Sequence, residues 1–202
     1  MYNHRLKRLH YLGSCRYKIR DTWMTFYPCW FWENGLSDKL LQVLDDDVQQ
    51  LELKPGTLAH GHVDTDVRNS NSNAFPSHHW ITGILYNYAL HANREAGWKR
   101  TLEYPEVTQI AEYREGQFYK WHTDNNAYSL QEYDRKITVI CLLNDPSEFE
   151  GGDFEIEYAM QVPKLKKGSV IAFPSNLRHQ VTPVTHGRRL SATCWAVGPQ
   201  KW

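Results

Sequence analysis

The stretch His122-Thr123-Asp124 places an imidazole and a carboxylate two positions apart. In an extended strand, side chains at i and i+2 share a face, so the two would project together. They supply two donors of the 2-His-1-carboxylate facial triad, which leaves positions on Fe(II) open for a chelating cosubstrate and oxygen. The third donor must come from elsewhere in the fold, and His179, just past the apolar run ending at Phe173-Pro174, is the candidate. A second His-x-Asp, His62-Val63-Asp64, is an expected coincidence among ten histidines. It lies in a polar stretch without alternation, whereas a rigid site wants its ligands on sheet elements. His60, His78 and His79 are expected in surface or capping roles.

Beyond His179, Arg189, Ser191, Thr193 and Trp195 alternate with Leu190, Ala192, Cys194 and Ala196. If the first set faces inward, a guanidinium sits in the interior and requires an anion; otherwise it forms a surface ion pair. The distal carboxylate of 2-oxoglutarate would satisfy it through a bidentate fork. Doubly charged iron, the Asp124 carboxylate, the dianionic oxoacid and Arg189 then cancel. Arg188 points to the opposite face and is the surface candidate. Trp121 and Trp195 either wall the pocket or pack in the core, and Gln109 and Tyr113 share a strand face that could turn polar groups inward. No Ser/His/Asp or nucleophilic Cys pattern competes with this reading.

These residues need a scaffold. Ser37 precedes Leu40, Leu41, Leu44, Val48 and Leu51 at helical spacing, with Ser37 a candidate N-cap and Asp38 favourable in the first turn. Residues 54 to 77 are rich in Gly, Asn, Ser, Asp and His and are expected to be a long loop. A second helix follows Ser77, with Ile81, Ile84, Leu85, Tyr88 and Ala92 on one face and Gly97 near its end. From about residue 104 the pattern alternates. Strands are expected at Val107 to Tyr113, Phe118 to Thr123, Lys136 to Asn144, Asp153 to Tyr158, Gly168 to Phe173 and Arg189 to Val197. Ile137 to Leu143 is apolar on both faces apart from Thr138, as in a central strand. Two helices followed by many short strands predict a mainly β (α+β) sandwich or barrel with supporting helices. The expected organisation is one domain, with strands and supporting helices over 1–102 and the core over 103–199. Asp66 to Phe75, including Arg68, and Asn125 to Asp134 are candidate substrate lids.

Composition limits the partners. Lys plus Arg and Asp plus Glu each total 23 in 202 residues, so net charge gives no reason to expect a nucleic acid. Eight Trp and twelve Tyr favour sheets and large pockets. Four cysteines without metal or disulfide spacing, no signal-peptide pattern and no long apolar run make a reducing, cytoplasmic setting without a membrane span the expectation. The first 20 residues carry six basic side chains (Arg5, Lys7, Arg8, Arg16, Lys18, Arg20), either a solvated terminus or a contact arm for an anionic partner.

The stretch YREGQFYKWHTDN (113–125) resembles the Y-x-x-G-x-x-Y-x-x-H-x-D segment of prolyl-4-hydroxylase-like Fe(II)/2-oxoglutarate dioxygenases. HQVTPVTHGRRLSATCW (179–195) resembles their H-x-V-x-P-V-x-x-G-x-R block, especially in the microbial and viral PKHD-type group, and GGDFEI (151–156) and KKGSVIAFPS (166–175) match in order. The resemblance implies a double-stranded β-helix (jelly-roll, cupin-like) core, with iron on His122, Asp124 and His179 and Arg189 on the C5 carboxylate. It also implies Tyr113 near the oxoacid and ascorbate as reductant. Some members share the C5 carboxylate with a Tyr where this chain has Leu142, so the second partner is Thr138, Thr193, Tyr113 or water. The implied reaction consumes 2-oxoglutarate and O2, hydroxylates a C–H bond of a peptidyl residue such as proline, and releases succinate and CO2. A free amino acid or other small molecule is the alternative acceptor, and a non-catalytic binding module on the same barrel is the second alternative. Nucleic-acid dioxygenases of the AlkB type carry an R-x-N-x-T-x-R signature that is absent. Trp121, Trp195, Arg68 and Asn125 are the candidate substrate contacts.

Overall fold

A computed structural model describes residues 15–19, 22–58, 62–125, 132–158, 162 and 164–200. Residues 1–14 and Arg20 of the basic segment, His60, and 126–131 of the second candidate lid lie outside the described residues. The elements begin with a hairpin of β1 (Cys15–Ile19) and β2 (Thr22–Phe26), then β3 (Trp30–Trp32), α1 (Asp38–Gln49), β4 (Lys54–Pro55), β5 (Arg68–Asn69) and β6 (Asn71–Phe75). Next come α2 (Trp80–Glu95), β7 (Tyr104–Arg114), β8 (Phe118–His122) and β9 (Tyr133–Leu142). The remainder is β10 (Phe149–Gly151), β11 (Phe154–Ile156), β12 (Val170–Pro174), β13 (His179–Val181) and β14 (Val184–Pro199).

Both helices form where the pattern places them. The Ser37 hydroxyl accepts from the Leu40 N–H at 3.4 Å, and Leu41, Leu44 and Val48 form the buried stripe of α1. In α2 the buried residues are Ile81, Thr82, Leu85, Ala89 and Ala92. Its N-cap is His79 rather than a residue nearer Ser77, and no side chain caps it. Gly97, at φ +68, takes the left-handed turn just beyond its end.

The large sheet runs β3-β12-β9-β14-β7-β6-β4, with β10 joined to β14; a second sheet runs β11-β13-β8-β5. The expected long loop over 54–77 is wrong, because it contributes β4, β5 and β6 to these sheets. β6 lacks an apolar alternation because it is held by its ladder to β7 and by polar side chains. Asn71 donates to Glu112 at 3.3 Å and Asn73 to the Glu52 carbonyl at 2.8 Å. Arg68 and the segment after it are therefore sheet structure, which replaces the expected lid over Asp66 to Phe75.

The strand β14 divides the interior. Leu190, Ala192, Cys194 and Ala196 join the apolar cluster that covers α1 and α2, together with Leu44, Ile81, Leu85 and Ile110. The other cluster draws Tyr113, Ile140 and Leu142 from the large sheet and Phe154, Ile156 and Val181 from the small one, so the two sheets close on each other. β9 lies between β12 and β14, the central position its apolar run requires. Among the described residues, no helix is long and apolar enough to cross a membrane.

Leu44 is 1% exposed at the contact of α1 with the large sheet. Leu44→Ala is expected to lower unfolding free energy by ~2–5 kcal/mol, because the transfer loss is compounded by a cavity; urea denaturation measures it.

Candidate metal centre

His122, Asp124 and His179 each offer a donor atom within 4.8 Å of the others, and they are the one such cluster among the described residues. His122 and His179 face each other across the β8–β13 ladder. A bulge aligns them: His179 pairs with His122 and Val181 with Tyr119, so two steps along β13 match three along β8. The extra residue brings Tyr119 and His122 onto one face, where their rings stack at 3.5 Å and 12°. Asp124 does not extend the strand, as its spacing suggested. β8 ends at His122, and Asp124 enters from the following turn, with its N–H donating to the Ser175 carbonyl at 3.0 Å.

Each donor is oriented by a group behind it. Nδ1 of His122 lies 2.7 Å from the Lys120 carbonyl, and Nδ1 of His179 lies 3.1 Å from the Leu177 carbonyl. A carbonyl only accepts, so both protons sit on Nδ1 and both Nε2 lone pairs point forward. Those atoms lie 3.7 and 3.5 Å from the Asp124 carboxylate. Thr138 donates to Asp124 Oδ2 at 2.7 Å, and its hydroxyl lies 2.9 Å from that of Ser175. Burial, and then the neighbouring His179, push His122 down to about 4. Burial alone would raise the Asp124 carboxyl, but His179 and His122 hold it at about 2. A neutral His122 beside an ionised Asp124 is the combination of protonation states a divalent metal requires.

Arg189 lines the same cavity and is 2% exposed. Burial lowers its pKa. Nη1 donates to the Ser191 hydroxyl at 3.1 Å, and no carboxylate pairs with it among the described residues. Tyr113 stands opposite it in the β14–β7 ladder, its ring centroid 5.7 Å from the guanidinium. Thr193 and Trp195 are on this wall. The buried Trp195 indole N–H has no acceptor at hydrogen-bonding geometry, although it lies close enough to Asp124 to favour the carboxylate. Arg135 stacks on its ring at 3.7 Å while Glu106 grips the guanidinium at 2.7 Å. A buried cation without a counter-ion among the described residues fits an anionic ligand beside the three metal donors.

The structure brings His122, Asp124, His179, Arg189, Tyr113, Thr193, Trp195 and Arg68 to one cavity, and Gln109 with them. Trp121 is elsewhere. It is 39% exposed and borders a larger cavity of about 760 Å³ that also reaches Leu142 and Arg189. Asn125 donates its N–H to the Ser175 carbonyl and does not line the triad cavity. The decoy has no site: His62 is exposed, and Asp64 caps a turn by accepting from the Asp66 N–H. His79 stacks on Phe75 at 4.1 Å and meets Asp47 at 3.3 Å. Arg188 pairs with Glu112 at 3.1 Å near the surface, as expected. Thr138, a candidate second partner of the oxoacid, is turned to Asp124 instead; Ser191 is the hydroxyl at Arg189. Tyr119 and Phe154 also line the cavity; Tyr119 is a fixed position of the matched motif but received no role from the sequence, because it shares the face of His122 only through the bulge.

Residues 108–197 match the 2OG-Fe(II) oxygenase superfamily, and that segment contains all three donors of the metal cluster. The chain is similar to PKHD-type hydroxylases. It is 36% identical over 88 residues to one from Teredinibacter turnerae, covering 41% of this chain and 39% of that protein. Another, from a Picosynechococcus species, is 40% identical over 95 residues, covering 46% and 41%. The chain thus spans about two fifths of the length of these relatives. A Pseudomonas putida prolyl-4-hydroxylase superposes with a TM-score of 0.65 at 21% identity, covering 84% of this chain and 92% of that one. The viral collagen prolyl hydroxylase of Paramecium Bursaria Chlorella virus-1, solved with 2-oxoglutarate, gives 0.66 at 22%, covering 85% and 97%. Both bear out the jelly-roll fold.

His122→Ala is expected to abolish metal binding and His62→Ala to leave it within twofold, by calorimetry with Mn(II) or anaerobic Fe(II). Thr138→Val, which frees the carboxylate to rotate, is expected to weaken metal affinity about 10–100-fold. The folded metal-free protein keeps His122 neutral down to about pH 4, whereas the unfolded chain binds that proton from 6.5. Stability therefore falls as pH drops from 6.5 towards 4, and His122→Gln flattens that slope in urea titrations with chelator present.

Proposed function

We propose that the chain is a 2-oxoglutarate-dependent hydroxylase acting on a C–H bond of a peptidyl residue, proline being the leading acceptor, with succinate and CO2 as co-products. One observation carries this reading: Arg189, buried and without a carboxylate partner among the described residues, shares a cavity with three metal donors. A metal-binding protein without an oxoacid has no need of that cation, which is costly to bury alone.

Iron held with the oxoacid supplies an oxidant able to replace a C–H hydrogen by hydroxyl. The chain's own residues do the rest. His122, Asp124 and His179 would hold the metal from one side, leaving the cavity side open. Arg189 would fork onto the distal carboxylate, with Ser191 setting its plane and Tyr113 and Thr193 closing the wall. Tyr119 and Trp195 flank the donors and exclude water from the reacting carbon. No side chain is required as a general base. The acceptor assignment is supported by the prolyl hydroxylases above and by another from Trichoplax adhaerens solved with a peptide fragment, with a TM-score of 0.65 at 18% identity. Ascorbate is proposed to keep the metal ferrous.

The test is succinate formation from 2-oxoglutarate with Fe(II) and ascorbate, with and without prolyl peptides. Peptide-stimulated turnover and a +16 Da product are expected. Arg189→Leu should raise the dissociation constant of 2-oxoglutarate at least tenfold while metal affinity survives. Unchanged oxoacid affinity would sink the assignment, and bound iron without turnover under any condition would leave a non-catalytic binding module.

A further inference from the structure

The triad cavity contains a second buried guanidinium. Arg68, the first residue of β5, is 5% exposed and lines the wall together with Tyr119, His122 and Asp124. Its partners are all neutral. Nε donates to the Ser70 hydroxyl, Nη1 to the Thr57 carbonyl and Nη2 to the Gln109 side-chain oxygen, each at 2.9 Å. No ion pair to Arg68 exists among the described residues. Three other arginines have counter-charges: Arg135 has Glu106, while Arg114 and Arg188 share Glu112. Arg68 is treated differently, and it is deeper than any of these three.

Charge accounting shows what is missing. With iron and a dianionic oxoacid bound, Asp124 and Arg189 bring the site to zero. Arg68, 5% exposed, leaves one positive charge in the cavity, and neutral acceptors do not cancel it. A guanidinium has five N–H donors, of which three are used. One N–H on each terminal nitrogen remains for an anionic acceptor.

Position fixes the scale. The Arg68 guanidinium lies 4.9 Å from the centroid of the Tyr119 ring, which stacks 3.5 Å from that of His122. An anion held by Arg68 is therefore only a few bonds from a carbon placed over the metal. We propose, on the basis of the hydroxylase reading above, that Arg68 is the anchor for a carboxylate on the substrate, close to the carbon that is oxidised. The substrate is then either a free carboxylic or amino acid, or a residue at the carboxyl end of a peptide, rather than a neutral residue within a chain.

The test is calorimetric and anaerobic, on the full chain saturated with Fe(II) and 2-oxoglutarate so that the Arg189 position is already filled. The probes are the N-acetylated amino acids, each as free acid and as amide, and pentapeptides ending in the same residues, again as acid and amide. At least one acid is expected to bind tenfold or more tightly than its amide, and the preference should vanish in Arg68→Met. Arg68→Lys, which keeps the charge without the fork, should retain part of it and guards against a merely structural loss. Tighter binding of the acetyl acids than of the pentapeptides identifies a free small molecule as the source, and the reverse identifies a chain end. Equal or absent binding of every acid and amide overturns the subsite, as does a preference that persists in Arg68→Met. A variant that loses 2-oxoglutarate as strongly as the acid also overturns it, because Arg68 would then serve the oxoacid. Failure of the wild type to hold 2-oxoglutarate at all refutes the hydroxylase reading itself, which keeps the two failures distinct.

Discussion

An imidazole can present a lone pair to a metal only when its other nitrogen carries the proton, and the site depends on that constraint being met twice. The carbonyls of Lys120 and Leu177 meet it, each two residues upstream of the histidine it orients. Because these acceptors are main-chain atoms beside β8 and β13, the tautomers follow from the backbone. The β8 bulge then turns the His122 ring inward, and the Ser175 carbonyl with the Thr138 hydroxyl delivers Asp124 from a turn. Burial keeps His122 neutral, and the proximity of the two imidazoles keeps the aspartate ionised. Geometry and protonation thus have one origin.

The second organising feature is the two-sided β14. One row of its side chains completes the apolar layer under the helices, and the other supplies Arg189, Ser191, Thr193 and Trp195 to the cavity. A one-residue slip in its pairing with β7 and β9 would exchange the rows, burying leucine at the oxoacid wall and arginine under α2. The helices therefore contribute to function indirectly, since their apolar stripes select the register.

Where the amino-acid pattern is periodic, it was readable. The stripe of α1, the central place of β9 and the two rows of β14 follow from apolar spacing. Three things were not readable, for physical reasons. The polar β4 to β6 segment is held by ladder bonds and amide side chains, so hydropathy sees only a loop. The β8 bulge depends on its partner strand, so Tyr119 could not be assigned to the face of His122. Arg68 was placed on a lid because its Gly- and Asn-rich surroundings hide the fact that Gln109, distant in sequence, receives its side chain.

The two histidines lie on the smaller sheet, whereas the aspartate between them is fastened to Thr138 and Ser175, at β9 and just past β12 of the larger one. An ion held by all three acts as a rivet through the sandwich. Its binding energy adds to the cohesion of the layers in proportion to the logarithm of its concentration over its dissociation constant, so the melting temperature becomes a gauge of loading. The metal-free protein would then be the looser form, its two sheets joined at this point by side-chain contacts alone.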